Sequence, residues 1–425
     1  MNSNGKSRNP FVNTERVARI FLKPLIGRHR LFIWLAESAL RPFAVFFGPE
    51  IGTKSNRVEK ILVFDPGVLG DMLLLVPFLR NLRTCFPESR IALLGRPDVG
   101  AFLLEGGMVD EWIQFRIPWG SRLTRWRRHN VFSLPWLNFF WDVFRLRRQR
   151  FDLAFAAGWS GDLRGNLVIW LTGARRRVGY GYGGGAFLLT DVAQPNLAHP
   201  HVIDRNLHLL QEIGCPAPNN GKVLCVTPDE ERIAAKLLAE RGIAKEDLVI
   251  GVHAGAGAAI REWGDERFAE VARRVADQFG AKILWFSDPT KPRPVPPHVG
   301  AISLSLAFQQ FAAVVSRCQL FLCNDSGPMH VAAGLRVPVV AVFGPQRPEW
   351  FGPYGEGHRV VIRHDVWCRP CADSCIWDEP YCLRLISVER VIQAVTETLQ
   401  RLAPACEGAQ AHAGETVSRR RDAAR

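Results

Sequence analysis

This chain of 425 residues has no apolar stretch long enough to cross a bilayer. A spanning helix needs about 20 mostly apolar residues, and the most apolar segment, 31–49, is interrupted by Glu37, Arg41 and Pro42. A secretory signal is also missing, because a long, largely polar and basic stretch precedes that segment in place of a short basic start, an apolar run and a small-residue cleavage site. The sequence therefore predicts a protein that is neither exported nor membrane-spanning.

Two common nucleotide-binding signatures are missing from the glycine-rich loop at 251–263. The loop contains neither the G-x-G-x-x-G pattern followed by an acid nor a Gly-Lys-Ser/Thr sequence. The first is typical of dinucleotide-binding proteins and the second of P-loop proteins. Both classes are therefore disfavoured.

Disorder of the whole chain is excluded by its composition, which is 47% hydrophobic and 22% charged. The net charge of +13 comes from two segments: residues 1–57, with ten Lys or Arg against three Glu, and residues 112–150, with nine Arg against Asp142. A basic groove through the core is thus unsupported, and no nucleic-acid partner is expected. Both segments are also rich in aromatic and aliphatic residues, so an anionic membrane surface is the expected partner. For 112–150, the alternatives are that its aromatic residues belong to the domain core with the arginines solvating the outer face, or that the arginines hold phosphates of a glycolipid acceptor.

The length predicts two domains. From residue 58, short apolar runs alternate with helical periodicity, and in the second half four strands alternate with three helices. Continuous apolar strands separated by helices predict an α/β fold with two doubly wound parallel-sheet domains, whose ligands bind at the carboxyl ends of the strands. The predicted organisation is an N-terminal arm (1–57), a first domain (58–222) with an Arg- and Trp-rich insertion (112–150), a second domain (223–406) and a disordered tail (407–425).

The stretch from Cys323 to His330 is the most informative part of the sequence, because a strand end runs directly into a helix. Pro328 suits the first helical turn, and Ser326 or Asp325 suits the cap. Such a helix start can bind a phosphate, with His330 on the same helical face as Ser326. A capped helix with a buried histidine explains the spacing equally well.

The loop at 251–263 is a second strand-to-helix connection, with small residues that let its backbone approach a ligand closely. Its consecutive N–H groups could form an anion-binding nest, to which Arg261 would add a bidentate donor. Two anion sites on one sheet suggest a diphosphate. The alternative is a flexible loop with a solvated arginine.

In the first domain, the segment from Asp65 to Asp71 closes the first strand and opens a helix. The carboxylate of Asp71 would project towards the ligand-binding end of the sheet. By spacing alone, a role as helix cap is favoured.

Together, these stretches resemble the family 9 glycosyltransferases, typified by the ADP-heptose:lipopolysaccharide heptosyltransferases. The pieces that carry the resemblance cover roughly residues 58–400 in order and spacing: Gly70–Pro77, the His253-Ala-Gly loop with Arg261-Glu-Trp263 and Glu266-Arg-Phe268, Asn324–His330 and Val337–Gly344.

The resemblance implies a GT-B architecture, with an acceptor-binding first domain and a second domain that binds the nucleotide sugar. It implies an inverting, metal-independent transfer of a heptose-like sugar from an ADP-heptose-like donor to the lipopolysaccharide core or another glycolipid or glycan. By carry-over, Asp71 is the candidate general base, and the donor-site candidates are His253, Gly255, Arg261, Asp325, Ser326, Gly327 and His330. Asp288 stands where the family often has a Gly-rich turn followed by an acid that contacts the nucleoside.

Four cysteines lie within fifteen residues: Cys368, Cys371, Cys375 and Cys382. Their density suggests a thiolate site for zinc, but the second and third gaps match no standard zinc or cluster pattern. The favoured interpretation is a loop packed by buried thiols without metal. The other cysteines are scattered, and reduced thiols fit a protein that is not exported.

Two other functions remain open at this stage. A nucleotide-sugar epimerase of the same architecture would share the diphosphate site, and a catalytically silent membrane-associated scaffold could retain the donor fold. The leading hypothesis is a glycosyltransferase that is cytoplasmic and peripheral on the inner face of the cytoplasmic membrane.

Overall fold

The computed structural model describes residues 34–35, 37–42, 44, 57–95, 106–115, 134–158, 162–196, 198–218, 224–371 and 375–402. It divides into two compact units, residues 1–220 and 221–425. Most of the predicted N-terminal arm, residues 116–133 of the predicted insertion and the predicted tail lie outside the described residues.

The first unit is built on a six-stranded parallel sheet in the order β3-β2-β1-β4-β5-β6. Its strands are β1 (Lys60–Phe64), β2 (Arg90–Gly95), β3 (Glu111–Gln114), β4 (Leu153–Ala156), β5 (Arg176–Tyr180) and β6 (Asp191–Ala193). Its helices include α1 (Leu69–Cys85), α2 (Leu134–Gln149), α3 (Leu163–Leu171) and α4 (Val202–Gln211), with a 3₁₀ turn at Ala186–Leu188, and residues 37–42 are also helical.

The second unit repeats this plan, with a parallel sheet in the order β12-β11-β10-β7-β8-β9. Its strands are β7 (Val249–His253), β8 (Lys282–Phe286), β9 (Ile302–Leu304), β10 (Leu320–Asn324), β11 (Val339–Phe343) and β12 (Arg359–Ile362). Its helices are α5 (Pro228–Ala239), α6 (Asp265–Phe279), α7 (Phe308–Val315), α8 (Gly327–Gly334), α9 (Pro348–Phe351) and α10 (Tyr381–Arg384), and residues 388–402 are also helical. The 3₁₀ turns are Ala259–Arg261 and Pro297–Val299.

Alternate residues of the apolar strands of the second unit bury opposite faces of its sheet. Ile250, Val252 and Trp285 pack in a core cluster with α6 and the helix at 388–402. Phe321 and Cys323 pack on the other face with α5, α7 and α8. Because both faces are covered, the strands are apolar throughout, as expected for a parallel sheet. The predicted fold class, α/β with two doubly wound parallel sheets, is confirmed.

The prediction of four strands in the second half is wrong, because the sheet has two more, β9 and β12. β3 and β6 in the first unit were likewise not predicted. All four are only three or four residues long and lie at the edges of the sheets. A strand of three or four residues is too short to show a clear alternation of apolar and polar residues in the sequence. Such a segment becomes a strand because it pairs with a neighbouring strand.

The treatment of residues 112–150 as an insertion needs correction for the parts that the structure describes. β3 pairs with β2 as an edge strand of the sheet. On α2, Phe139, Val143 and Leu146 recur at helical spacing and are buried in the core of the first unit. These parts of the segment therefore belong to the domain itself.

Candidate active site

The candidate donor residues lie at the carboxyl ends of three adjacent strands, β10, β7 and β8. The chain runs from β7 through β8 to β9 on one side, and through β10 to β12 on the other, so the strand order reverses between β7 and β10. Such a reversal leaves a crevice outside the carboxyl ends of the strands, where open α/β sheets bind ligands. Within this unit, the fold brings the loop after His253 beside the Asn324–His330 stretch.

Asn324 joins these two stretches. Its side chain is fully buried, with the amide donating to the carbonyl of Ala254 at 2.6 Å and the carbonyl accepting the N–H of Trp263 at 3.0 Å. The indole of Trp263 donates in turn to the carbonyl of Ile386 at 3.1 Å. A buried amide with both ends satisfied fixes the backbone it bonds, so Asn324 sets the position of the loop that carries Arg261.

Arg261 ends a 3₁₀ turn and points at the start of α8. Its Nη1 lies 3.5 Å from Oδ2 of Asp325, which is buried. Ser326 occupies the N-cap position of α8, but its hydroxyl donates to the carbonyl of Asn324 at 3.3 Å and makes no cap for the helix. Gly327 is the first helical residue, and His330 is buried on the first turn. An arginine and a helix start without a side-chain cap are therefore adjacent, an arrangement suited to binding an anion.

His253 ends β7 and Asp288 follows the end of β8, and each influences the pKa of the other through its charge. Burial lowers the pKa of His253, so its imidazole is neutral at pH 7. Burial opposes the ionisation of Asp288, but hydrogen bonds from Thr290 outweigh it and lower the pKa of that carboxyl. One oxygen of Asp288 accepts both the N–H and the hydroxyl of Thr290 at 2.7 Å. The carboxylate of Asp288 is thus held in place by hydrogen bonds within its own turn.

The predicted anion nest is partly occupied by a carboxylate of the chain. Glu262 Oε1 accepts the N–H of Ala256 at 3.2 Å and bonds Arg293 at 2.5 Å. Arg293 also bonds Asp265 at 3.0 Å. A Cβ at Gly255 would lie 3.2 Å from the His253 ring, so this glycine allows the loop to pass close to the imidazole. Sequence reasoning missed Arg293 because a Pro-rich loop carries it, with no periodic signal.

In the first unit, Asp71 also lies at a point where the strand order reverses, here between β1 and β4. The helix α1 begins at Leu69, two residues earlier than predicted, with Val68 at the N-cap. Asp71 is the third helical residue and accepts the N–H of Val68 at 2.8 Å. The capping role favoured by spacing is therefore present, although at a different helical position. The half-buried carboxyl is also on the ligand-binding edge of the sheet.

Asp65 was not among the predicted site residues, yet it is the most deeply buried acid of this loop. It follows β1 directly and is 1% exposed. An acid immediately after an uninterrupted apolar strand was the signal in the sequence that could have identified it.

In the described part of the chain, the four clustered cysteines do not come together as a group of metal ligands. Cys368, Cys371 and Cys375 are half-buried, and Cys382 is buried. Across the described ranges, no three His, Cys, Asp or Glu side chains are grouped as a metal ion would require. The arrangement does not fit the tetrahedral set that zinc needs.

Comparison with known proteins identifies the family. The sequence profile of glycosyltransferase family 9 (heptosyltransferase) matches residues 143–379, more than half of the chain. The chain belongs to glycosyltransferase family 9. The donor-site candidates of this glycosyltransferase all lie inside the matched range, whereas Asp65 and Asp71 precede it.

Relatives of this family 9 glycosyltransferase include lipopolysaccharide heptosyltransferase 2 of Escherichia coli K12, which is 26% identical over 71% of this chain and 87% of that protein. Lipopolysaccharide heptosyltransferase 3 of the same strain is 21% identical over 80% of this chain and 97% of that protein.

Solved structures agree on the GT-B fold. A family 9 glycosyltransferase from Veillonella parvula has a TM-score of 0.64 at 24% identity, covering 82% of this chain and all of that chain. The E. coli ADP-heptose lipopolysaccharide heptosyltransferase II has a TM-score of 0.58 at 21% identity, covering 80% of this chain and 99% of that chain. At these identities, the likeness concerns the fold alone.

Proposed function

We propose that this glycosyltransferase moves a heptose-like sugar from a nucleotide-diphosphate donor to the lipopolysaccharide core or a related glycolipid, with inversion at the anomeric carbon. The observation that carries the proposal is the grouping of Arg261, the uncapped start of α8 and His253 at the strand reversal of the second sheet. Relatives named as lipopolysaccharide heptosyltransferases support this choice of sugar and acceptor.

The chemistry assigned to these residues is one displacement step. An acceptor hydroxyl attacks the anomeric carbon from the side opposite the diphosphate, its proton passes to Asp71, and the bond to the diphosphate oxygen breaks. Asp71 acts as general base. Arg261 and the N–H groups of the first turn of α8 stabilise the negative charge that develops on the departing nucleoside diphosphate. Asp288 is proposed to contact the nucleoside.

A donor panel tests the proposal directly. ADP-heptose should raise the thermal unfolding temperature of the purified chain, because a ligand that binds only the folded state stabilises it by mass action. With a lipopolysaccharide-core acceptor, sugar transfer and release of ADP should follow. Conversion of the nucleotide sugar without acceptor would favour the epimerase, and donor binding with no product would favour the scaffold.

We also propose that the transfer needs no metal ion, because Arg261 and the helix start supply positive charge where a divalent cation would otherwise act. Turnover measured with excess chelator should equal turnover measured with added magnesium. Loss of activity in chelator, restored by a divalent cation, would contradict this prediction.

A surface of α2 supports membrane binding. The stripe opposite the buried residues is exposed and combines apolar with basic side chains: Leu137, Phe140, Trp141, Phe144, Arg145 and Arg148. Trp141 is 62% exposed, and the guanidinium of Arg148 lies 4.5 Å from the centre of the Phe144 ring. No helix in the described part of the chain is long and apolar enough to cross a membrane. We propose that this α2 stripe holds the enzyme peripherally on the anionic inner face of the cytoplasmic membrane.

Vesicle flotation tests the α2 stripe. The double variant Arg145→Gln/Arg148→Gln should float less with anionic vesicles, because each basic residue near the surface contributes about 1 kcal/mol. The wild type should also float less at high salt. Arg232→Gln/Arg241→Gln, which changes two arginines of the second unit, is the matched control and should float like the wild type. Equal recovery of wild type with neutral and anionic vesicles would exclude the electrostatic contribution.

A further inference from the structure

The buried carboxyl of Asp65 takes no part in the one-base scheme. Its Oδ1 accepts the N–H of Gly67 at 2.8 Å. Its Oδ2 is buried and has no hydrogen-bond partner among the described residues. Burying a carboxylate with an unsatisfied oxygen costs more free energy than burying the neutral carboxyl group in the same place.

The second carboxyl group of the loop is close to Asp65. A Cβ on Gly67 would lie 2.8 Å from Oδ1 of Asp65 and 2.7 Å from Oδ2 of Asp71. Because one point is that near to both, the two oxygens are separated by no more than about 5.5 Å, a distance at which two carboxylates perturb each other strongly. Their backbone donors, Gly67 and Val68, are consecutive.

The surroundings of Asp65 in the described residues do not compensate a negative charge. From β2, the carbonyl of Leu94 accepts the N–H of Asp65. After β4, a Cβ on Gly158 would lie 2.7 Å from Oδ2, and the neutral Asn206 of α4 accepts the N–H of Gly158 at 2.9 Å.

The cationic side chain of α4 nearest in sequence to Asn206 is Arg205. Its guanidinium lies over the rings of Tyr180 and Tyr182. Among the described residues, the charge recorded as acting on Asp65 is that of Asp71, from α1. Burial, and then the field of Asp71, raise the pKa of Asp65 to about 8.

We infer that Asp65 is a positioning residue that carries a proton beside Asp71, so that the two groups form a coupled acid–carboxylate pair at the carboxyl end of β1. Asp71 keeps the negative charge because it is the more exposed of the two and accepts the N–H of Val68. The neutral Asp65 holds Gly67 in place without repelling the base. The catalytic part of this inference rests on the proposed function, whereas the protonation of the pair does not.

Infrared spectroscopy tests the pair without any substrate. At pH 7, the wild type minus Asp65→Asn difference spectrum should contain the carbonyl band of a protonated carboxylic acid, and this band should disappear as the pH rises above about 8. In Asp71→Asn, the band should disappear at a lower pH, because the like charge that favours the protonated form has been removed. Absence of the band at pH 7 would overturn the inference, whether or not the chain is a heptosyltransferase.

The pH dependence of turnover tests the catalytic part. In the wild type, kcat should fall as Asp65 ionises, because two adjacent carboxylates repel each other and displace Asp71, while KM for the donor stays constant. Asp65→Asn should lower kcat at pH 7 by about two- to fivefold and lack this alkaline fall. Asp65→Ala, which also removes the acceptor for Gly67, should lower kcat by about tenfold or more at every pH.

Asp229→Asn, in the first turn of α5, is the matched control and should keep the wild-type profile. Superimposable profiles for wild type and Asp65→Asn would show that Asp65 is only structural.

Discussion

Replacing Asp71 by asparagine should lower kcat by about 10² to 10⁴-fold, the usual contribution of a positioned general base. In the wild type, Asp71 accepts the N–H of Val68 at 2.8 Å. The amide oxygen of asparagine can accept the same N–H, so the start of α1 should be preserved. The variant loses the negative charge and, with it, the ability to take a proton from the acceptor. Initial rates with saturating donor and acceptor measure this effect, and calorimetric titration with ADP should give an unchanged affinity.

The control for this variant is the same substitution in another first helical turn. Asp229 lies in the first turn of α5, is exposed and pairs with Arg232. Asp229→Asn should therefore retain wild-type kcat. Near-normal turnover of Asp71→Asn would remove Asp71 from the role of base.

Replacing Arg261 by alanine should weaken the binding of donor and of free nucleoside diphosphate together. A lost hydrogen bond to a charged group costs about 1.5 to 3 kcal/mol, or roughly 10- to 150-fold in affinity. Calorimetric titration with ADP and with the nucleotide sugar measures both. The parallel loss is expected because Arg261 lies beside the start of α8, where the diphosphate is proposed to bind.

Two further variants separate binding from structural damage at Arg261. Its partner Asp325 is buried, so removing the guanidinium leaves a buried carboxyl without that neighbour. Arg261→Lys keeps a positive charge there and should lose less affinity than alanine, since an ammonium cannot bind bidentately. Arg274→Ala, on α6, should bind ADP normally. If only the apparent affinity for the acceptor changes in Arg261→Ala, the diphosphate lies elsewhere.

The central strands were predictable because their residues are apolar on both faces. Lys60–Phe64 and Lys282–Phe286 were predicted with the bounds that the structure shows. The edge strands were not, because β6 and β9 have only three residues each and depend on pairing with a neighbouring strand. The helix α2 was missed because it is apolar on two opposite stripes, one in the core and one exposed, which hides the helical period.

By itself, the sequence determined the fold class and the candidate donor residues, since strand-to-helix junctions such as Cys323–His330 are local features whose chemistry follows from residue type and spacing. Only the tertiary structure decided which of these groups meet. The pairing of β7 with β10 brings Arg261 to Asp325, and the buried position after β1 makes a proton carrier of Asp65. Proximity between residues distant along the chain, and the burial that shifts a pKa, result from packing, which no local pattern records.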